Sequence, residues 1–181
     1  MKKFVMLTTS LFAMSLTATQ IARADADADM IKNAEMAAPA TVATAAQIIA
    51  VGADGKIREL RKGSNGFWCM PDDTTTPTND PICGDANTME WVKAWMGKTE
   101  PPKGKIGFGY MLQGSTTASN TDPYATAPAA GSDWLKDGPH VMIFNTGDMM
   151  VGYPTSATPD TSQPYVMYPG TPYAHLMVPV Q

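Results

Sequence analysis

Apolar and polar positions alternate along this chain in short runs, and turn residues interrupt them every few positions. Residues 41–51 (TVATAAQIIAV) carry β-branched side chains and end at Ala53-Asp54-Gly55. Lys56–Arg61 (KIRELR) then alternates, and Asp-Gly between two such runs predicts a hairpin. The second strand is heavily charged, which suits a sheet edge. Phe67-Trp68-Cys69-Met70 is the most core-like tetrapeptide. In Lys105–Gln113 (KIGFGYMLQ), Ile106, Phe108 and Tyr110 share one face and Gly107 and Gly109 the other, so a strand with close backbone approach on the glycine side is expected. Val141–Phe144, Tyr165–Tyr168 and His175–Val180 predict three further strands, the last two joined by Pro169-Gly170-Thr171-Pro172.

Helical spacing is clearest over residues 86–96. Asp85 can cap the first turn through its carboxylate. Met89, Val92 and Met96 form a stripe, Gly97 suits the position just past the end, and Pro101-Pro102 prevents continuation. Two polar stretches, 114–132 and 153–164, read as loops. The expected fold is a compact, loop-rich α+β domain over residues 41–181, built of mostly short antiparallel strands with one main helix at 86–96.

The N-terminus has a different pattern. Lys2 and Lys3 precede an uncharged, largely apolar run from Phe4 to Leu16, and Ala22-Arg23-Ala24 fits a small-x-small cleavage pattern. This order predicts a secretory signal peptide over residues 1–24, cleaved after Ala24. The run is shorter than the roughly 20 residues a bilayer-spanning helix needs. Thr8, Thr9, Ser10 and Ser15 thin it further, so stable membrane anchoring is not expected after cleavage. Residues 25–40 (DADADMIKNAEMAAPA) read as a flexible acidic leader. Its alternating Asp25, Asp27 and Asp29 lack the glycine and distal glutamate of a calcium loop.

Export alters both the charge and the cysteine chemistry expected of the mature chain. Cleavage removes Lys2, Lys3 and Arg23 from the 13 basic residues and none of the 17 acidic ones, so the net charge moves from −4 to −7. A chain this acidic, with no basic cluster, argues against nucleic-acid binding. The two cysteines, Cys69 and Cys83, are expected to pair in an oxidising periplasmic or extracellular setting. The loop between them, MPDDTTTPTNDPI, has little apolar surface to hold itself down, and a cross-link over about 15 residues is worth about 3 kcal/mol in the chain-entropy model.

Candidate chemistry is sparse. The two histidines both sit in a His-x-Met pattern, His140-Val141-Met142 and His175-Leu176-Met177. On a strand each pair shares one face. If the strands were neighbours, His140, Met142, His175 and Met177 could offer an imidazole and thioether set suited to Cu(I). Ordinary core packing is the competing explanation, because methionine fills core gaps well. Trp68, Trp91, Trp95 and Trp134, with Tyr110, Tyr153, Tyr165, Tyr168 and Tyr173, either line a groove or form core and rim. No GxSxG elbow, HExxH helix or GxxxxGK[ST] loop occurs, and the glycines of residues 104–109 lack the dinucleotide pattern. The sequence reading is therefore a non-catalytic binder of an unknown protein or small ligand, with no cofactor. A copper-binding protein and a hydrolase with a dispersed site are the alternatives.

The segments GFWCMPDD (66–73), EWVKAWM (90–96), GFGYMLQG (107–114), GPHVMIFN (138–145) and DTSQPYVMYPGTPYAHLMVPV (160–180) together resemble a group of small uncharacterised exported bacterial proteins. That resemblance covers most of residues 55–180. It implies a bacterial periplasmic or secreted product, and it implies no activity and no site residue.

Overall fold

The computed structural model describes residues 10–52 and 54–180. Lys2, Lys3 and the start of the apolar run lie outside the described residues. The described residues form a strand-dominated mixed fold with ten strands and a few helices. Eight strands make one sheet: β1 (Gln47–Val51), β2 (Ile57–Arg61), β3 (Phe67–Met70), β4 (Ile82–Asp85), β5 (Gly107–Met111), β8 (His140–Phe144), β9 (Tyr165–Met167) and β10 (His175–Pro179). Their order across the sheet is β2-β1-β3-β4-β5-β8-β10-β9. All neighbours are antiparallel except β1 and β3, which are parallel. The parallel pair requires a crossover, which the β2 hairpin and the turn at residues 62–66 supply. A second, two-stranded sheet pairs β6 (Ser115–Thr117), inside the stretch expected to be loop, with β7 (Leu135–Asp137) just beyond it.

Helices cover the large sheet. The helix expected at residues 86–96 is α3 (Ala86–Met96), and Asp85 Oδ1 accepts a hydrogen bond from the Thr88 backbone N–H at 2.8 Å. Two more helices depart from the one-helix expectation: α1 (Ser10–Glu35) and the single turn α2 (Ala40–Ala43). The segment 41–51 is accordingly not one strand, since its first residues complete α2 and only Gln47–Val51 pairs.

Residues 25–40 are a clear departure from the expected flexible leader. Residues 25–35 continue α1, and Ala34 and Ala37 are fully buried. The helix is tied to the edge strand β2 by two ion pairs. Arg58 forks onto both carboxylate oxygens of Asp27 at 2.8 Å, and Arg61 pairs with Glu35 while also donating to the Ala43 and Ala46 carbonyls. The expectation of a leader missed this because alanine favours helix, while Asp27 finds its partner Arg58 on a distant strand.

The faces of the sheet follow strand alternation. On one face, Ile48, Cys69 and Cys83 pack under Ala34, Ala37, Ala43 and Ala46 of the α1–α2 layer. Cys69 and Cys83 stand directly opposite each other on β3 and β4 and form the expected disulfide. Asn33 of α1 pins the loop they close, accepting from the Asp72 backbone N–H and donating to Asn79 at 2.7 Å each. On the other face, Ile49, Trp68, Met142, Phe144, Tyr165, Met167 and Met177 pack with Trp91 and Val92 of α3.

The glycines of β5 lie where the period-2 pattern placed them. A Cβ on Gly107 would lie 2.6 Å from Thr88 Oγ1 and 2.7 Å from the Thr88 backbone nitrogen. Gly107→Ala is therefore expected to cost about 1–3 kcal/mol, because α3 must move off the sheet. Gly138→Ala, where nothing lies within 4 Å, serves as the control. Equal denaturant midpoints for the two variants would refute the close approach.

Candidate functional site

The α3-facing side of β5, β8, β10 and β9 carries almost all of the candidate chemistry. β8 and β10 are antiparallel neighbours, so each His-x-Met pair does share this face with the other. Strand register sets three rows. One runs Gly109, Met142, Met177 and Tyr165; the second runs Met111, His140 and Pro179; the third runs Gly107, Phe144, His175 and Met167. Met142 is thus directly opposite Met177, and the histidines stand at opposite ends of the strand pair. Four residues separate their rows, about 13 Å of backbone at a rise of about 3.3 Å per residue. The candidate ligand set His140, Met142, His175 and Met177 therefore resolves into a central methionine pair flanked by two histidines in different surroundings.

His175 occupies an aromatic box. Its ring stacks on Phe144 at 4.8 Å and meets Trp91 and Tyr168 edge-on at 5.2 and 5.7 Å. Nδ1 donates to the Tyr173 carbonyl at 2.9 Å, which fixes the tautomer. Burial away from any carboxylate lowers its pKa to about 4, so the ring is neutral at pH 7.

His140 sits in a polar pocket of the same core. It is 2% exposed, and Nδ1 donates to the Gly138 carbonyl at 2.7 Å. Nε2 then presents a lone pair, buried and without a hydrogen-bond partner. Burial lowers its pKa, with the Gly138 bond and the charge of Asp137 acting against that shift. Asp137, at the end of β7, is also buried. Its Oδ1 accepts from Tyr165 Oη at 2.7 Å. Ser115 lies beside the carboxyl, yet no hydrogen bond of normal geometry reaches Oδ2. Burial holds the Asp137 pKa above its ordinary value and likewise raises that of Tyr165. Two buried polar atoms without partners in one neighbourhood are unusual in a folded protein. Sequence reasoning missed Asp137 because Lys136-Asp137-Gly138-Pro139 reads as a turn, and missed Met111 because no histidine precedes it.

A separate cleft of about 430 Å³ opens at the end of the sheet beyond the His175–Phe144 row. Its walls are residues 100–104 after α3, residues 145–150 after β8, and residues 171–174 before β10. Pro101, Pro102 and Pro172 stiffen these segments, and Asn145 ties two of them by donating to the Lys105 carbonyl at 2.9 Å. Glu100 and Lys103 bring opposite charges to its mouth. The tryptophans and tyrosines do not line it. Trp68, Trp91, Tyr165 and Tyr173 are buried, and Trp95 stacks on Tyr124 at 6.3 Å at the rim of the core. Among the described residues no helix is long and apolar enough to cross a membrane. No protein-family model, curated protein or solved structure matches the chain.

Proposed function

We propose that the chain is exported, is cleaved after Ala24, and acts in the periplasm or medium as a non-catalytic binding protein. Its proline-walled cleft takes a small ligand or a short segment of a partner. The cleft is the observation that carries this reading: half-open, walled by three prolines, of mixed polarity, and of a size that suits small ligands. Both histidines bond through Nδ1 to backbone carbonyls, at Gly138 and Tyr173, where a hydrolytic triad needs a carboxylate to orient the base. That bonding favours binding over the dispersed hydrolase. Export is supported by the basic, apolar and small-residue order of residues 1–24, and by a disulfide of the kind that persists in oxidising compartments.

The test has two parts. Expressed from the full chain in a bacterium, the product should be recovered with Asp25 as its first residue by mass spectrometry. Recovery of the unprocessed chain in the cytosolic fraction would refute export, and its recovery in the membrane fraction would refute cleavage after Ala24. Amide shifts of the labelled protein should then be followed against a library of small polar compounds and short peptides. Perturbations should cluster at residues 100–104, 145–150 and 171–174 and vanish in a folded Ala174→Trp variant. Perturbations centred elsewhere would overturn the cleft as the binding site.

A further inference from the structure

His140, whose Nε2 is buried without a partner, stands on the sheet face that carries an unusual density of methionine. Met142 lies two residues beyond it on β8, Met177 stands opposite Met142 on β10, and Met111 stands opposite His140 on β5. Directly opposed residues point to the same face with Cβ atoms about 5 Å apart, and methionine adds three rotatable bonds to close what remains. Gly109 leaves open the place across from Met142, and the Met142 methyl fills it, 3.0 Å from where a Gly109 Cβ would be. Met142 therefore leans toward β5, the strand that carries Met111. Tyr165 ends the methionine row and holds Asp137 by its hydroxyl.

We propose that His140 Nε2 and the thioethers of Met142, Met177 and Met111 form a binding site for one Cu(I) ion, with Asp137 as the adjacent counter-charge. The donor chemistry selects the ion. Thioethers are soft, neutral ligands that suit Cu(I) and do not belong to the usual zinc set. A monovalent cation in a buried site needs one compensating negative charge, and Asp137, buried close enough to His140 for its charge to act on the ring, keeps Oδ2 without a hydrogen-bond partner. The disulfide removes both cysteine thiols from competition, so methionine is the sulfur ligand that remains. Met111 is half-buried while Met142, Met177 and His140 are at most 5% exposed, so the ion enters past Met111. His175 is not a ligand, because the aromatic box of Trp91, Phe144 and Tyr168 holds its ring. This site is separate from the cleft, and either can fail without the other.

The purified exported protein is titrated anaerobically with Cu(I) against a chromogenic chelator, and in parallel with Ag(I) as a redox-inert probe monitored by NMR. One ion per chain is expected, with the His140 Nε2 resonance and the Met142 and Met177 methyls shifting while His175 stays in place. Met142→Leu and Met177→Leu conserve volume and keep the fold. Each should weaken Cu(I) by more than about 100-fold, whereas Asp137→Asn should weaken it by about 10-fold, as loss of a supporting group does. Met149→Leu, at a residue 62% exposed, should change nothing. Should one core variant unfold, the other and Met111→Leu still decide the matter. No retention of Cu(I) against the chelator overturns the site. So does retention that survives the core leucine variants, or a shift of His175 in place of His140.

Discussion

Trp91→Ala is expected to destabilise the protein by about 4 kcal/mol, in the range for truncating a buried tryptophan. Trp91 is 5% exposed and joins α3 to the core on the sheet face that the helix covers. Its ring lies 4.6 Å from Phe144, 5.2 Å from His175, 6.0 Å from Tyr173 and 6.5 Å from Trp95. Removing it leaves a void that four rings on three different segments border, and such rigid groups collapse poorly into a cavity. The indole nitrogen gives the experiment an internal check. Trp91 Nε1 is buried without a hydrogen-bond partner, so the side chain already carries a desolvation cost. Trp91→Phe keeps most of the packing and removes that cost, and it should lose no more than about 1.5 kcal/mol. Urea unfolding of both variants at constant m-value measures the difference. Comparable losses in the two variants would show that the indole edge, not the ring packing, carries the site.

Acid is expected to weaken the fold by about 3 kcal/mol between pH 6.5 and 4, through His175. The sign is set by where the proton goes. The unfolded chain protonates this histidine near pH 6.5, whereas the folded chain refuses the proton until about pH 4. Within that window the unfolded state binds more protons, so stability rises with pH and is complete above pH 6.5. His140 is shifted in the same direction by its burial and steepens the same limb. Asp80 and Asp137 act oppositely. Burial raises both carboxyls above their ordinary 3.8, so acid relieves them and offsets part of the loss through His175. His175→Phe keeps a ring against Phe144 and Trp91 and removes the titrating group. Its stability should depend on pH by about one proton fewer per molecule between pH 4.5 and 6. An unchanged slope in that variant would assign the acid limb elsewhere.

The candidate site was only partly legible in the sequence. His140, Met142, His175 and Met177 could be singled out, and strand alternation placed each His-x-Met pair on one face. Which residues would face which across the strands was not legible. A hairpin joins β9 to β10 within eight residues, but β8 joins β10 across thirty, and β5 joins β8 across a similar gap. Register over such distances is chosen by the whole core. A slip of two residues would preserve every face and still move Met142 away from Met177. Asp137 was hidden for another reason: a carboxylate is buried here only because Tyr165, from a strand far along the chain, donates to it.

What the sequence determined by itself is what neighbours along the chain can settle. The cap at Asp85 and the stop after Met96, the Asp54-Gly55 hairpin, the alternation of glycine and aromatics along β5, and the short loop that lets Cys69 meet Cys83 all depend on residues within 14 positions of one another. Their energies are local and their periods are fixed by helix and strand geometry. Only the tertiary structure decided that residues 25–35 are helix and not leader, since Asp27 and Glu35 find Arg58 and Arg61 on β2, and Ala34 and Ala37 find the disulfide to cover. It alone placed the two histidines at opposite ends of one strand pair, boxed His175 in aromatics, and left His140 Nε2 buried without a hydrogen-bond partner. These choices rest on long-range burial and pairing, which no local pattern in the chain encodes.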